Sequence, residues 1–309
     1  MKRNKVAIIG AGHVGASLAQ LLLHDGISDV VLYDVAQGVP QGKALDLGEA
    51  CPLWGSSASI KGTNAIEDTA GSDVIVITAG LARKPGMSRD DLLQANATII
   101  KEVSTKTAAQ SPDSIIIMVT NPMDVMAQLA WKFTKFPPQR VLGMGGVLDS
   151  ARLRSFIAWE LNVSPKDVEA LVLGGHGDQM VPVKSLISVK GAGIDSLLPE
   201  ATIRSIFERT RNGGAEIVSL LKTGSAYYAP GAAIYEMVKA VLFDEKRLLP
   251  CAVHLEGQYG AKGVYAGVPV ILGKGGVEKI IEVPLTAEEK AAFDKSAGAV
   301  GKLVETLGL

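Results

Sequence analysis

Short, unbroken apolar runs alternate with longer amphipathic stretches through the first half of the chain. The runs are "KVAIIG" (5–10), "DVVLYD" (29–34), "DVIVIT" (73–78) and "SIIIMVT" (114–120). They are apolar and β-branched without a polar alternation, which predicts strands covered on both faces, as in a parallel sheet. Between them, 13–24, 39–50 and 90–109 predict helices. Strand, helix, strand in repetition implies right-handed crossovers and a doubly wound sheet. "RVLGMGG" (140–146) predicts the last strand of this unit.

The second half has a different texture. A helix is predicted over 149–161, then a strand at "EALVLGG" (169–175), then amphipathic helices around 201–221 and 226–243. The runs "PCAVHLEGQY", "KGVYAGVPVIL" and "GGVEKIIEV" predict short strands, and a closing helix starts near 286. These expectations divide the chain into a doubly wound unit over 1–146 and a second α+β unit over 147–309.

Composition narrows the function classes. Of 309 residues, 47% are hydrophobic and 20% charged, the balance of a globular chain with a good core. The net charge of −1 supplies no overall field toward nucleic acid or anionic lipid, so neither is an expected partner. Cys51 and Cys251 form no metal or redox motif and imply no disulfide framework, which fits a reducing cytoplasm. The basic, apolar start breaks at Gly10 and Gly12, unlike a signal peptide. No window reaches the roughly 18 uninterrupted apolar residues of a membrane span.

"GAGHVG" places Gly10, Gly12 and Gly15 in G-x-G-x-x-G spacing, between a predicted strand and a predicted helix. In that context Gly10 permits a tight turn, Gly12 lets backbone approach a pyrophosphate, and Gly15 allows close helix–strand packing. The helix N-terminus then offers free N–H groups and a positive dipole end to phosphates. Asp34 ends the second strand, where a carboxylate accepts bonds from ribose hydroxyls and repels a 2′-phosphate. The expected cofactor is NAD rather than NADP. His13 sits inside the motif and is expected beside the cofactor, not in catalysis.

Of the four histidines, His13, His24, His176 and His254, only His176 lies between glycines after a predicted strand, in "LGGHGDQMVP". Loops at strand ends carry function in α/β folds. An imidazole works better as acid and base when a carboxylate fixes its tautomer. Asp149 and Asp178 are both candidates, and spacing does not choose between them. Arg152 follows Asp149 by three residues and shares its helix face, and a guanidinium there can hold a carboxylate through two parallel bonds. Asn121-Pro122 ends a buried strand and offers a donor and an acceptor at its mouth. "LARKPGMSRDD" (81–91) puts Arg83, Lys84 and Arg89 around a Pro85-Gly86 turn. No Cys/His cluster marks a metal site.

In "GAGHVG", Asp34, "QGKALDL", "RKPGMSRDDLL", "TNPMD", "LDSARLR", "GGHGDQMVP" and "LKTGSAYYAPGAA", the chain resembles the lactate/malate dehydrogenase superfamily over essentially its whole length. It is most similar to the bacterial malate dehydrogenases of lactate-dehydrogenase type. The resemblance implies an α/β fold with a Rossmann doubly wound parallel sheet and a second α+β catalytic domain. It implies a 2-hydroxy acid oxidoreductase, with malate oxidation in the tricarboxylic acid cycle as the expected step. His176 would exchange the proton, with Asp149 orienting it. Arg152 would clamp the substrate's C1 carboxylate, and Arg89 would polarise the reacting carbonyl. Asn121 would touch substrate and cofactor. Gly10, Ala11, Gly12, His13, Val14, Gly15, Asp34, Asn96, Val119 and Thr120 would line the NAD site. The segment 80–91 would be a lid, and the protein a homo-oligomer, tetramer rather than dimer.

Arg83 separates the candidate substrates. Oxaloacetate has a second carboxylate that pyruvate lacks, and an arginine under a closed lid would pair with it. With pyruvate the same arginine would be buried unpaired, a penalty of several kcal/mol. Gly224 and Ala226 are small and leave room for the longer acid. Malate and oxaloacetate are therefore expected, with lactate and pyruvate as the alternative.

Overall fold

The computed structural model describes residues 3–81 and 89–308, without the Arg89 side chain. Arg83, Lys84 and the Pro85-Gly86 turn lie outside the described residues. The first half runs β1 (Lys5–Ile9), α1 (His13–His24), β2 (Asp29–Tyr33), α2 (Val39–Ala50), β3 (Ile60–Thr63), β4 (Val74–Ile77), α3 (Arg89–Gln110), β5 (Ile115–Met118), α4 (Met123–Thr134) and β6 (Val141–Gly143). These strands pair in parallel in the order β3-β2-β1-β4-β5-β6. Ala7 of β1 stands opposite Val31 of β2 and Ile75 of β4, so the chain order reverses at β1.

The two sides of the sheet account for the unbroken apolar runs. Val6 and Ile8 of β1 pack on one side with Leu18 and Leu22 of α1. Ala7 and Ile9 pack on the other with Leu93 and Ile100 of α3 and Met126 of α4. Every position from Val6 to Ile9 is buried, each large side chain contributing about 1.5–3 kcal/mol, so no polar alternation survives.

The second half holds α5 (Gly146–Leu161), then the short strands β7 (Val168–Glu169), β8 (Val172–Leu173), β9 (Val181–Pro182), β10 (Ser188–Val189) and β11 (Ala192–Gly193). After them come α6 (Glu200–Leu221), α7 (Tyr228–Leu242), β12 (Arg247–Glu256), β13 (Lys262–Gly273), β14 (Gly276–Ile280) and α8 (Ala287–Thr306). A third apolar cluster joins Leu153 and Ile157 of α5 to Val168, Val172, Ile203 and Ile206.

Three features differ from the sequence expectations. β3, "IKGT", has no apolar run, because its sheet-edge position leaves Lys61 exposed. The single strand expected at 169–175 is two two-residue strands in different small sheets. The three late strands do not form a sheet of their own. β12 pairs antiparallel with β6 at Ala252 and Gly143, so β12, β13 and β14 extend the parallel sheet to nine strands among the described residues.

Candidate active site

The loops after β1, β4 and β5 meet where the chain order reverses, the usual ligand crevice of such sheets. They are sewn together by neutral groups. Thr78 Oγ1 donates to the Gly10 carbonyl at 3.0 Å, and Thr120 Oγ1 donates to the Ala79 carbonyl at 2.7 Å. Asn96, buried on α3, accepts from the Leu81 N–H at 2.8 Å and donates to the Asn121 carbonyl at 2.8 Å. The Asn121-Pro122 bond is cis.

The glycine turn fits a dinucleotide. Gly10 has φ +119°, and a Cβ there would meet Thr78 Oγ1 at 2.5 Å. A Cβ on Gly15 would meet the Gly10 carbonyl oxygen at 2.1 Å, so α1 sits against β1 as closely as the backbone allows. Among the described residues a Cβ on Gly12 would meet no atom within 4 Å, so this face of the turn is open to them. No side chain caps α1, which leaves its first-turn N–H groups available to a phosphate. Asp34 Oδ2 accepts from the Ala11 N–H at 2.7 Å and Oδ1 from the Ala36 N–H at 3.0 Å, so the carboxylate braces the turn while its remaining lone pairs stay free for hydroxyls.

Lys43 was not singled out from the sequence. From α2 its Nζ donates to the Ala11 carbonyl at 2.6 Å, so one residue of the turn is held by Asp34 on its N–H and by Lys43 on its carbonyl. The only signal was the lysine within "QGKALDL", at a helix position that reaches the turn only once the sheet has formed.

The second cluster lies across the cleft. His176 Nδ1 is 2.8 Å from Asp149 Oδ2, and Arg152 NH1 donates to Asp149 Oδ1 at 3.3 Å. Asp149 is 1% exposed, one turn inside α5. A carboxylate only accepts, so Nδ1 carries the hydrogen in both protonation states and Nε2 is the ring nitrogen able to gain or lose a proton. Burial disfavours the imidazolium. The charge and hydrogen bond of Asp149, with the charge of Asp124, outweigh it and raise His176 above its ordinary value, while Arg152 pulls the other way. Asp178 is not the histidine's hydrogen-bonded partner; Asp149 is. Arg154 faces elsewhere, donating from Nε to the Val168 carbonyl at 2.7 Å.

Val14, Val119, Thr120, Asn121, Arg152 and His176 line one cleft of about 540 Å³, within the size range of small-ligand sites. Ala226 lines it too. His13 stacks on Tyr227 at 4.9 Å, away from the Asp149 pair. His24 pairs with Asp25 on the surface, and His254 is buried against Trp131. Asp124 was also missed. Its carboxylate accepts from the His176 backbone N–H at 2.8 Å, a contact between residues 52 positions apart that no local pattern announces.

The lactate/malate dehydrogenase NAD-binding domain matches residues 4–143, and the α/β C-terminal domain of the same family matches residues 146–307. A "Malate dehydrogenase" of Desulforudis audaxviator is 55% identical over 309 residues, covering 100% of both chains. The crystal structure of Cryptosporidium parvum malate dehydrogenase superposes with a TM-score of 0.96 at 43% identity, covering 99% of each chain. A lactate dehydrogenase of the same organism, complexed with lactic acid and NAD, superposes with a TM-score of 0.97 at 42% identity, covering 100% of this chain and 99% of that one. Overall shape therefore does not separate the two activities.

Proposed function

The chain belongs to the lactate/malate dehydrogenase family, and we propose that it catalyses the reversible NAD-dependent oxidation of (S)-malate to oxaloacetate. One observation carries this reading: His176 and Arg152 share the buried carboxylate of Asp149 on the wall of a cleft that also takes in the strand-end loops of the dinucleotide half. The malate dehydrogenases at 51–55% identity over nearly the full length support malate over lactate.

Bound NAD supplies the hydride acceptor. His176 Nε2 takes the hydroxyl proton as the carbonyl forms, and returns it in the reverse direction. Asp149 orients the ring through Nδ1 and stabilises the imidazolium. Arg152 keeps donors free beyond its bond to Asp149, and these hold the C1 carboxylate. Arg89 is assigned to the charge that develops on the reacting oxygen, and Arg83 to the far carboxylate. Asn121 contacts the substrate and cofactor. Gly10, Ala11, Gly12, His13, Val14, Gly15, Asp34, Asn96, Val119 and Thr120 make up the cofactor site. The division at 146/147, a cytoplasmic location and a homotetramer belong to the same proposal.

The test is NADH oxidation with oxaloacetate and then pyruvate, on the wild type and on Arg83→Gln. Wild-type preference for oxaloacetate is expected, and the variant should lower the oxaloacetate-to-pyruvate ratio of kcat/KM by a factor on the order of 100 or more. Preference for pyruvate in the wild type would make this a lactate dehydrogenase. An unchanged ratio in the variant would remove Arg83 from specificity.

A further inference from the structure

Asp124 takes no part in the steps above. It is the second residue of α4, 4% exposed, and its Oδ2 holds the His176 backbone N–H at 2.8 Å. Among the described residues its Oδ1 is buried with no hydrogen-bond partner. Half-satisfied buried carboxylates are costly. Burial pushes this one up to about 6, against the hydrogen bond and charge of His176, with the charge of Asp149 adding to the rise. A neutral asparagine would offer the same N–H the same acceptor without burying a charge. What aspartate adds at this position is therefore the charge itself.

The groups around the imidazole give that charge a use. Asp149 and Arg152 face it from α5, and Asp124 faces it from α4. From α8, the neutral Ser296 Oγ accepts from the neighbouring Gly175 N–H at 2.8 Å. Two successive N–H groups of the histidine loop are thus braced, one by a hydroxyl and the next by a carboxylate. Bracing needs only the first kind of group. We propose that Asp124 is a positioning residue of the proton relay, which holds the His176 backbone and biases the imidazole toward its protonated form with a second carboxylate charge beside that of Asp149. The proposal rests on the dehydrogenase reading above.

The experiment uses the full-length protein and its Asp124→Asn and Ser296→Ala variants. The kcat/KM values for oxaloacetate reduction and malate oxidation are followed from about pH 5 to 10, each relative to its own plateau. Reduction requires protonated His176 and oxidation requires the neutral form. In Asp124→Asn the alkaline limb of reduction and the acid limb of oxidation should both move to lower pH, by the same amount. At a pH on the wild-type alkaline limb, the variant should retain a several-fold smaller fraction of its plateau. NADH affinity, read by fluorescence, should be unchanged. Ser296→Ala should lower the rates with both limbs in place. If the limbs of Asp124→Asn coincide with the wild type, Asp124 is only a brace and the proposal fails, whatever the rate. Should the asparagine variant not fold, Asp124→Ser removes the same charge and is judged by the same limbs. A wild type that turns over no oxaloacetate overturns the function and this inference together; an active wild type with unmoved limbs overturns this inference alone.

Discussion

The turn after β1 is held at one residue, by Asp34 on the Ala11 N–H and Lys43 on the Ala11 carbonyl, and is otherwise fixed by backbone and hydroxyl contacts. The loop carrying His176 is held by Asp124 and Asp149, two buried carboxylates, with Arg152 on the far side of Asp149. The first region gets its backbone shape from glycines a few residues apart, and the partners that brace it come from 23 to 68 residues away. The second gets its chemistry from charges brought in from 27 and 52 residues away, so its geometry is tertiary. Errors in the two should fail differently: the turn should lose cofactor affinity, and the histidine loop should lose proton transfer.

The sharpest separation comes from His176→Asn. Turnover should fall by about 10² to 10⁴ if His176 is the group that exchanges the proton, as proposed. NADH binding, measured by fluorescence titration, should stay near the wild type, since no residue of the glycine turn is touched. A variant that keeps near-normal turnover would end the assignment of the proton to His176.

Stability should also distinguish the regions, through pH. Asp124 and His176 both bind protons more tightly in the folded state than in the unfolded one. The stability each adds is fully present below its unfolded value and is lost as pH rises through its folded value. For Asp124 that window runs from 3.8 to about 6. A displacement of this size corresponds to roughly 3 kcal/mol. For His176 the loss begins above its ordinary 6.5. Asp124→Asn should therefore gain on the wild type as pH rises from about 4 to 7, by up to that amount. Urea unfolding across the range checks it, and a gap that stays constant with pH would mean that Asp124 carries no buried charge in the folded state.

Two glycines test whether the turn really separates shape from binding. Gly15→Ala would drive a methyl into the Gly10 carbonyl 2.1 Å away. It should lower stability by about 1–3 kcal/mol and weaken NADH binding with it. Among the described residues Gly12→Ala meets no atom within 4 Å. It should leave the melting temperature alone and weaken only NADH binding. If Gly12→Ala binds NADH as tightly as the wild type, the open face of Gly12 is not a cofactor surface.

The same contrast explains what the sequence made legible. β1, β4 and β5 stood out because both their faces are buried, and the glycine turn stood out because its spacing is local. β3 did not, since an edge strand with an exposed lysine has no apolar signature. Nor did the pairing of β12 with β6, which joins the two halves in one sheet through contacts far apart in the chain. His176 was conspicuous between glycines, and Arg152 was legible one helical turn from Asp149. The choice of Asp149 over Asp178 came from family resemblance, because the bond spans 27 residues and nothing in the spacing encodes it. Asp124 was inside a quoted motif, yet nothing local singled it out, because its bond to the histidine loop spans 52 residues.

Lys43 offers the smallest and most discriminating effect. It reaches the turn through one bond of 2.6 Å to the Ala11 carbonyl. Lys43→Met removes that bond while keeping a stem of similar length. Asp34, Thr78 and the glycines still hold the turn, so the loss should be about 1–2 kcal/mol, a rise of roughly tenfold in the NADH dissociation constant. The kcat at saturating NADH should change little, because the residue lies on the cofactor side and touches no group that handles the proton. A collapse of kcat with NADH affinity intact would contradict the division itself: it would mean that the turn shapes the chemistry across the cleft and does not only hold the cofactor.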